Sequence, residues 1–195
     1  MNLIKENIND TFLKGYYIDE SICDDLIAYW KESKDKQPGI VMIDGYRQID
    51  PDKKVSTDVT IPPHSQDVPY RNYIEELKKA AACYMQDLPW CNEYSPWDVI
   101  EQLVVQYYPP GGGFKSWHTE RPSPQFPIAT RHLVFMTYLN DVDDEGGTEF
   151  VHQKLKLKAR KGLTVIWPAD WTYTHRGVPS PTQEKWIITG WFNYI

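Results

Sequence analysis

From Leu103 onward the chain is a succession of short β-branched and aromatic runs, each closed by glycine, proline or aspartate. Residues 103–108 read Leu-Val-Val-Gln-Tyr-Tyr and stop at Pro109-Pro110-Gly111-Gly112-Gly113. Further runs follow at 114–120, 132–139, 148–157, 163–167 and 186–194. Several short strands at this spacing predict a sandwich or barrel-like pair of sheets. The run from Lys185 to Phe192 is apolar on both faces. The 15 prolines favour turns and edge strands over long helices, and the 8 tryptophans and 13 tyrosines supply large buried area.

The first half alternates helix and loop. Asp19-Glu20-Ser21 starts a helix to about Ser33, with Ile22, Leu26, Ile27 and Trp30 at helical spacing and acids in the first turn, where the helix dipole favours them. A second helix spans about Pro69 to Met85, with Tyr73, Leu77, Ala80, Ala81 and Tyr84 as its inward stripe and Glu75 to Lys79 as a solvated, self-pairing face. Short strands are expected near Val41 and from Val55 to Ile61. The expected fold is mainly β with flanking helices (α+β). Residues 1–195 form one domain: about 1–100 as mixed helical support, about 101–195 as the β core. No Pro/Gly segment looks like an interdomain linker.

At 195 residues the chain is long enough for a full core and short for two domains. A net charge of −6 argues against general phosphate-backbone binding. No apolar run approaches the roughly 20 residues that span a bilayer, and residues 1–11 are polar, with no signal-peptide core. Cys23, Cys83 and Cys91 are odd in number and lack CxxC spacing. They read as free thiols, which sets the expected location as cytoplasmic.

Metal and acid–base chemistry must draw on five histidines: His64, His118, His132, His152 and His175. In a strand, residues i and i+2 share a face. His118 and Glu120 can therefore offer an imidazole nitrogen and a carboxylate oxygen to one point. With His175 from a distant strand they make two histidines and one carboxylate, a facial set suited to non-haem Fe(II) oxygen chemistry. The triplet alone is what chance gives in a chain this acidic, and by itself it reads as an outward polar pair. Lys185 heads a doubly apolar strand and shares a face with Ile187, Thr189 and Trp191. It is either a lysine reaching solvent at the strand mouth or a cation waiting for a carboxylate.

The order of motifs decides between these readings. Tyr108-Pro-Pro-Gly-Gly-Gly-Phe-Lys-Ser-Trp-His118-Thr-Glu120 is followed by Arg131, Tyr138-Leu-Asn-Asp141, Gly146-Gly-Thr-Glu-Phe150, Arg160-Lys-Gly162, Thr174-His175-Arg-Gly-Val-Pro179 and Lys185. This stretch, somewhat under half the chain, resembles the Fe(II)/2-oxoglutarate-dependent dioxygenases of the prolyl 4-hydroxylase type. Phe12 through Trp30 resembles their helical lead-in more weakly. The resemblance implies a double-stranded β-helix (jelly-roll or cupin-like) core. It implies Fe(II), 2-oxoglutarate and O2, with ascorbate as a supporting reductant. His118, Glu120 and His175 match the iron ligands, and Lys185 matches the basic residue for the distal carboxylate of 2-oxoglutarate. Tyr108 and Tyr138 match tyrosines lining the cosubstrate pocket, and Thr189 and Trp191 lie on the face beside Lys185. The implied reaction is hydroxylation of an unactivated C–H bond of a prolyl residue, another peptide side chain or a small molecule, with release of succinate and CO2. One position departs from the family pattern: the usual aspartate ligand is Glu120 here, one methylene longer. The alternatives are a nucleic-acid oxidative demethylase of the same chemistry, against which the acidic charge and the lysine count, and a β-helix binding module without catalysis.

Other motifs carry less. Glu149-Phe-Val-His152 is an E-x-x-H, but in a strand its ends face opposite ways. His132 reads as structural, and His64 sits in a loop that could reach the site mouth. Lys154 to Lys158 alternates like a lysine-protected edge strand. Pro109 to Gly113 has no phosphate-loop spacing. Arg121 to Pro127 is an irregular loop and a candidate substrate contact.

Overall fold

The computed structural model describes residues 3–8, 11–43 and 46–195; the polar start read above falls partly outside them. Two helices form where expected. α1 spans Glu20–Glu32, and the Asp19 carboxylate caps it by accepting the Ser21 N–H. α2 spans Val68–Asp87 with a proline in its first turn, where the missing N–H costs nothing. Its stripe of Tyr73, Leu77, Ala80, Ala81 and Tyr84 is buried. On its outer face Lys78 pairs with Glu75 at 2.8 Å and Lys79 pairs with Glu76. No helix among the described residues is long and apolar enough to cross a membrane.

The main sheet has nine strands, and the pairings along it are antiparallel. Its centre runs Lys14–Tyr17, Leu163–Pro168, Arg131–Tyr138, Lys185–Tyr194, Leu103–Tyr108 and Thr57–Ile61. The β core thus takes strands from the first hundred residues as well as the last. Opposite lies a smaller sheet of Leu155–Leu157, Thr148–Phe150 and His175–Gly177, with the pair Gly113–Phe114 and Lys54–Val55 beside it. Two antiparallel sheets closing face to face make the double-stranded β-helix.

Strands apolar on both faces are explained by what covers them. On Arg131–Tyr138, Leu133 and Phe135 face the helices, while Val134, Met136 and Tyr138 face the second sheet. On Lys185–Tyr194, Trp186, Ile188 and Phe192 take the helix side, and Ile187 and Trp191 the interior. A period of two therefore sorts each strand into two cores. The helix-side core is tight: a methyl added at Gly190 would lie 2.4 Å from Phe135 Cζ, and Phe135 is fully buried between Tyr73 and Phe192. Gly190→Ala is expected to cost about 1–3 kcal/mol through overpacking. Urea unfolding should show it as a lower midpoint at unchanged slope; an unmoved midpoint would mean that Phe135 can turn aside.

Two expected strands are shorter than the sequence suggests. Of the 114–120 run only Phe114 is in a strand, Gly113–Phe114, followed by a single bridge at His118. The 148–157 run is a hairpin, with a turn between Thr148–Phe150 and Leu155–Leu157 and Lys154 at φ 49°. Glu149-x-x-His152 straddles that turn. Glu149 pairs with Arg176, and His152 packs edge-on against Trp171. Leu155–Leu157 lies at the edge of its sheet, consistent with its lysines.

Candidate active site

The site is assembled by one narrow bridge. The His118 N–H donates to the His175 carbonyl at 2.9 Å, and the His175 N–H donates back at 3.0 Å. This sets the two rings side by side, with centroids 4.3 Å apart. Glu120, two residues beyond His118, turns to the same point. Its Oε1 lies 3.5 Å from His118 Nε2 and 3.3 Å from His175 Nε2. One ligand atom from each of the three lies within 4.8 Å of the others. The structure therefore brings together His118, Glu120 and His175.

Backbone carbonyls orient both imidazoles of the trio. His118 Nδ1 is 2.9 Å from the Ser116 carbonyl, and His175 Nδ1 is 2.9 Å from the Tyr173 carbonyl. A carbonyl only accepts, so each Nδ1 donates to the backbone and each Nε2 is the nitrogen turned toward Glu120. Burial opposes ionisation of Glu120, but its contacts with His118 and His175 outweigh it and hold the carboxyl well below the usual range. Burial, aided by His175, pushes the His118 pKa down. Two imidazole nitrogens and a carboxylate oxygen converging on one point are a donor set that fits a divalent cation. Fixing the outer nitrogen by a backbone carbonyl is how metal-binding histidines are oriented.

Behind the trio lie two buried lysines with opposite circumstances. Lys54, 7% exposed, has its anion built in, with Asp58 Oδ2 at 2.8 Å. Lys185, 3% exposed, has no carboxylate partner among the described residues. It donates to the Val178 carbonyl at 3.4 Å and lies 4.9 Å over the Tyr108 ring. Burial alone pulls its pKa from 10.5 to about 8. A buried ammonium without an anion fits a carboxylate-bearing ligand. Its register neighbour Tyr108 donates to Gln106 Oε1. Tyr138 donates to Thr148 Oγ1 at 2.6 Å. Thr189 donates to the Phe135 carbonyl at 3.2 Å, so its hydroxyl is turned to a neighbouring strand. The Trp191 indole N–H donates to Glu120 Oε2 at 3.0 Å, which puts Trp191 on the metal side rather than beside the lysine.

The structure gives further residues definite places around the trio. Phe114 stacks on the His118 ring at 3.8 Å, nearly parallel. Phe150 and Trp167 pack on His175 at 5.3 and 5.2 Å. Arg131 makes a bidentate pair with Glu101 at 2.8 and 2.7 Å and donates to the Glu120 carbonyl at 2.7 Å. The argument used for Lys185, a cation heading a doubly apolar strand, would have flagged Arg131 too. His132 is held by the Cys91 carbonyl at 2.9 Å and stacks on Tyr194. His64 does not reach the site mouth: it lines a cavity of about 450 Å³ against α2, with Tyr70, Leu77 and Trp97. Arg121, in the irregular loop after Glu120, pairs with Asp170.

Known proteins share this architecture. Residues 103–193 match the family model of the 2OG-Fe(II) oxygenase superfamily. Over 105 residues, 48% of this chain, it is 26% identical to prolyl 4-hydroxylase subunit alpha-3 of Homo sapiens and of Mus musculus. That match covers 19% of each relative, so the chain spans about a fifth of their length. The viral collagen prolyl hydroxylase of Paramecium Bursaria Chlorella virus-1 is similar in fold, with TM-score 0.67 and 17% identity over 96% of this chain and 98% of the other. A Pseudomonas putida prolyl-4-hydroxylase matches with TM-score 0.70 and 16% identity over 94% of each chain. A Trichoplax adhaerens prolyl hydroxylase, solved with a hypoxia inducible factor oxygen degradation domain peptide fragment, gives 0.70 and 14%, over 95% and 85%.

A double-stranded β-helix bearing two imidazoles and one carboxylate at a point is the arrangement of a mononuclear non-haem oxygenase. The family match points the same way: residues 103–193 match the 2OG-Fe(II) oxygenase superfamily, and the relatives and solved structures similar to the chain are prolyl 4-hydroxylases. Fe(II), 2-oxoglutarate and O2 are what that family uses.

Proposed function

We propose that this chain is an Fe(II)- and 2-oxoglutarate-dependent dioxygenase that hydroxylates an unactivated C–H bond of a peptide side chain, with a prolyl residue as the first substrate to test. The observation that carries this reading is the pairing of two unmet demands in one interior: three converging ligand atoms at His118, Glu120 and His175, and a buried Lys185 with no anion among the described residues. A divalent cation answers the first and a dicarboxylic acid the second. The peptide class is supported by the prolyl hydroxylases similar to this chain, one of them solved with a peptide bound. The three free cysteines support a reducing, cytoplasmic setting. Strands shared between the two halves support a single domain over residues 1–195.

In this reading His118 Nε2, His175 Nε2 and Glu120 Oε1 hold Fe(II). With 2-oxoglutarate and O2, the iron supplies the oxidising power that couples loss of CO2 to C–H hydroxylation. The chain's own residues do the rest. Lys185 binds the far carboxylate and so orients the cosubstrate, while the Tyr108 ring packs against the ammonium. Tyr138 spends its hydroxyl proton on Thr148 Oγ1, which fixes its ring in the pocket wall. Phe114, Phe150 and Trp167 cover the imidazoles and exclude water from the ligand side.

An anaerobic absorption titration tests the reading directly. Fe(II) followed by 2-oxoglutarate should give a visible charge-transfer band that needs both additions. In air, the same mixture with proline-containing peptides should release succinate faster than without them. Absence of any band would remove the oxygenase reading and bring the non-catalytic binding module forward.

A further inference from the structure

We propose that Trp191, clamped by Arg131 and Glu101, selects which oxygen of Glu120 faces the metal and thereby lets a glutamate serve where a shorter aspartate would be usual. This rests on the metal-centre reading above.

A glutamate has one more side-chain torsion than an aspartate and two chemically equal oxygens, so an unrestrained carboxylate could present either or both. Here the two are distinguished. Oε1 faces both imidazoles, while Oε2 accepts the Trp191 N–H at 3.0 Å. An indole N–H only donates, so the oxygen that binds it is turned away from the imidazoles. Trp191 is in turn held flat, with the Arg131 guanidinium 3.5 Å over its ring. A cation on the ring face draws electron density from the indole and makes its N–H a better donor.

Arg131 is itself fixed from three sides. Its fork grips Glu101, Nη1 donates to the Glu120 carbonyl, and the same Nη1 lies 3.8 Å from Glu120 Oε2. Asn193, two residues beyond Trp191 on the same strand, donates to Glu101 Oε1 at 2.9 Å. The contacts link Glu120, Trp191, Arg131, Glu101 and Asn193 and tie a loop, two strands of the main sheet and the ligand together. An aspartate would draw its oxygens back by about one C–C bond, roughly 1.5 Å, out of hydrogen-bond reach of Trp191. The clamp is matched to the longer side chain.

The test is a double-mutant cycle read by metal binding. Apoprotein is titrated anaerobically with Co(II), followed by its visible absorption and by calorimetry, in the wild type, Trp191→Phe, Glu120→Asp and the double variant. Phenylalanine keeps the ring under Arg131 and removes the N–H. Trp191→Phe should bind Co(II) about 10-fold more weakly, with shifted absorption bands, as expected when an outer hydrogen bond to a ligand is lost. In the Glu120→Asp background the same change should alter affinity less than about 2-fold. Equal losses in both backgrounds would assign Trp191 a merely structural role and overturn the inference. Wild-type affinity in Trp191→Phe would overturn it as well, with the metal centre intact. Failure of the wild type to bind Co(II) would instead remove the metal-centre reading on which the inference stands. If Trp191→Phe does not fold, Arg131→Lys carries the test: it keeps the charge but loses the stacked fork, and the same background-dependent loss is expected.

Discussion

Lys185→Met is expected to weaken 2-oxoglutarate binding by more than about 100-fold, in line with the loss of one partner from a buried charge pair, while leaving Co(II) affinity unchanged. It should also make the apoprotein more stable. Lys185 is buried with no carboxylate partner among the described residues, and burial lowers its pKa from 10.5 to about 8. That difference corresponds to about 3 kcal/mol held against the folded state. The sign follows from proton counting. Between about pH 8 and 10.5 the unfolded chain binds more protons than the folded one, so stability rises with pH through this window. The penalty is whole below about pH 8, where the native state must carry the charge, and it is gone above about 10.5. A methionine of similar length removes it, and near pH 7 the melting temperature should rise by roughly 6–12 °C. Cosubstrate binding carries the opposite pH dependence. A bound carboxylate favours the ammonium, so affinity should fall as pH climbs above about 8, by at most about 10-fold per pH unit. Calorimetry at several pH values, with thermal melts of both proteins, checks all of this. An unchanged dissociation constant in Lys185→Met would place the cosubstrate elsewhere.

Glu120→Ala is expected to reduce divalent-metal affinity by more than about 1000-fold, beyond the 10–100-fold typical of outer-sphere partners. Succinate formation should drop to background with it. The variant removes the one anionic donor of the trio and also leaves the Trp191 N–H without its acceptor. Thermal melts in the presence of EDTA separate the two effects, since structural damage appears with or without metal and loss of a ligand only as the loss of metal-induced stabilisation. Retained metal binding would mean that His118 and His175 find another carboxylate, and the site would have to be redrawn.

Much of the architecture is legible in local chemistry. The two helices announce themselves through Asp19 as a cap, Pro69 in a first turn and apolar spacing, because these depend on neighbours within a few residues. Leu103–Tyr108, Arg131–Tyr138 and Leu163–Pro168 are readable for the same reason. The strand expected over 114–120 is not, since a single bridge to His175 holds His118 in place, and that bond lies 57 residues away in sequence. The hairpin inside 148–157 is likewise hidden, because the turn residues Val151 to Lys154 are not the usual Gly, Pro or Asn.

The sequence by itself determined the candidate set: an imidazole and a carboxylate two residues apart, a third ligand from afar, and a cation at the mouth of a doubly apolar strand. These follow from side-chain identity and from the two-residue period of extended backbone. Tertiary structure alone decided which of these groups already have partners. Lys54 meets Asp58, Arg131 meets Glu101, and Lys185 meets no carboxylate among the described residues; His118 and His175 donate their outer N–H groups to backbone carbonyls and turn Nε2 to Glu120. Satisfaction of buried charge and of hydrogen bonds is a property of three-dimensional neighbours, and the chain order of residues does not encode it.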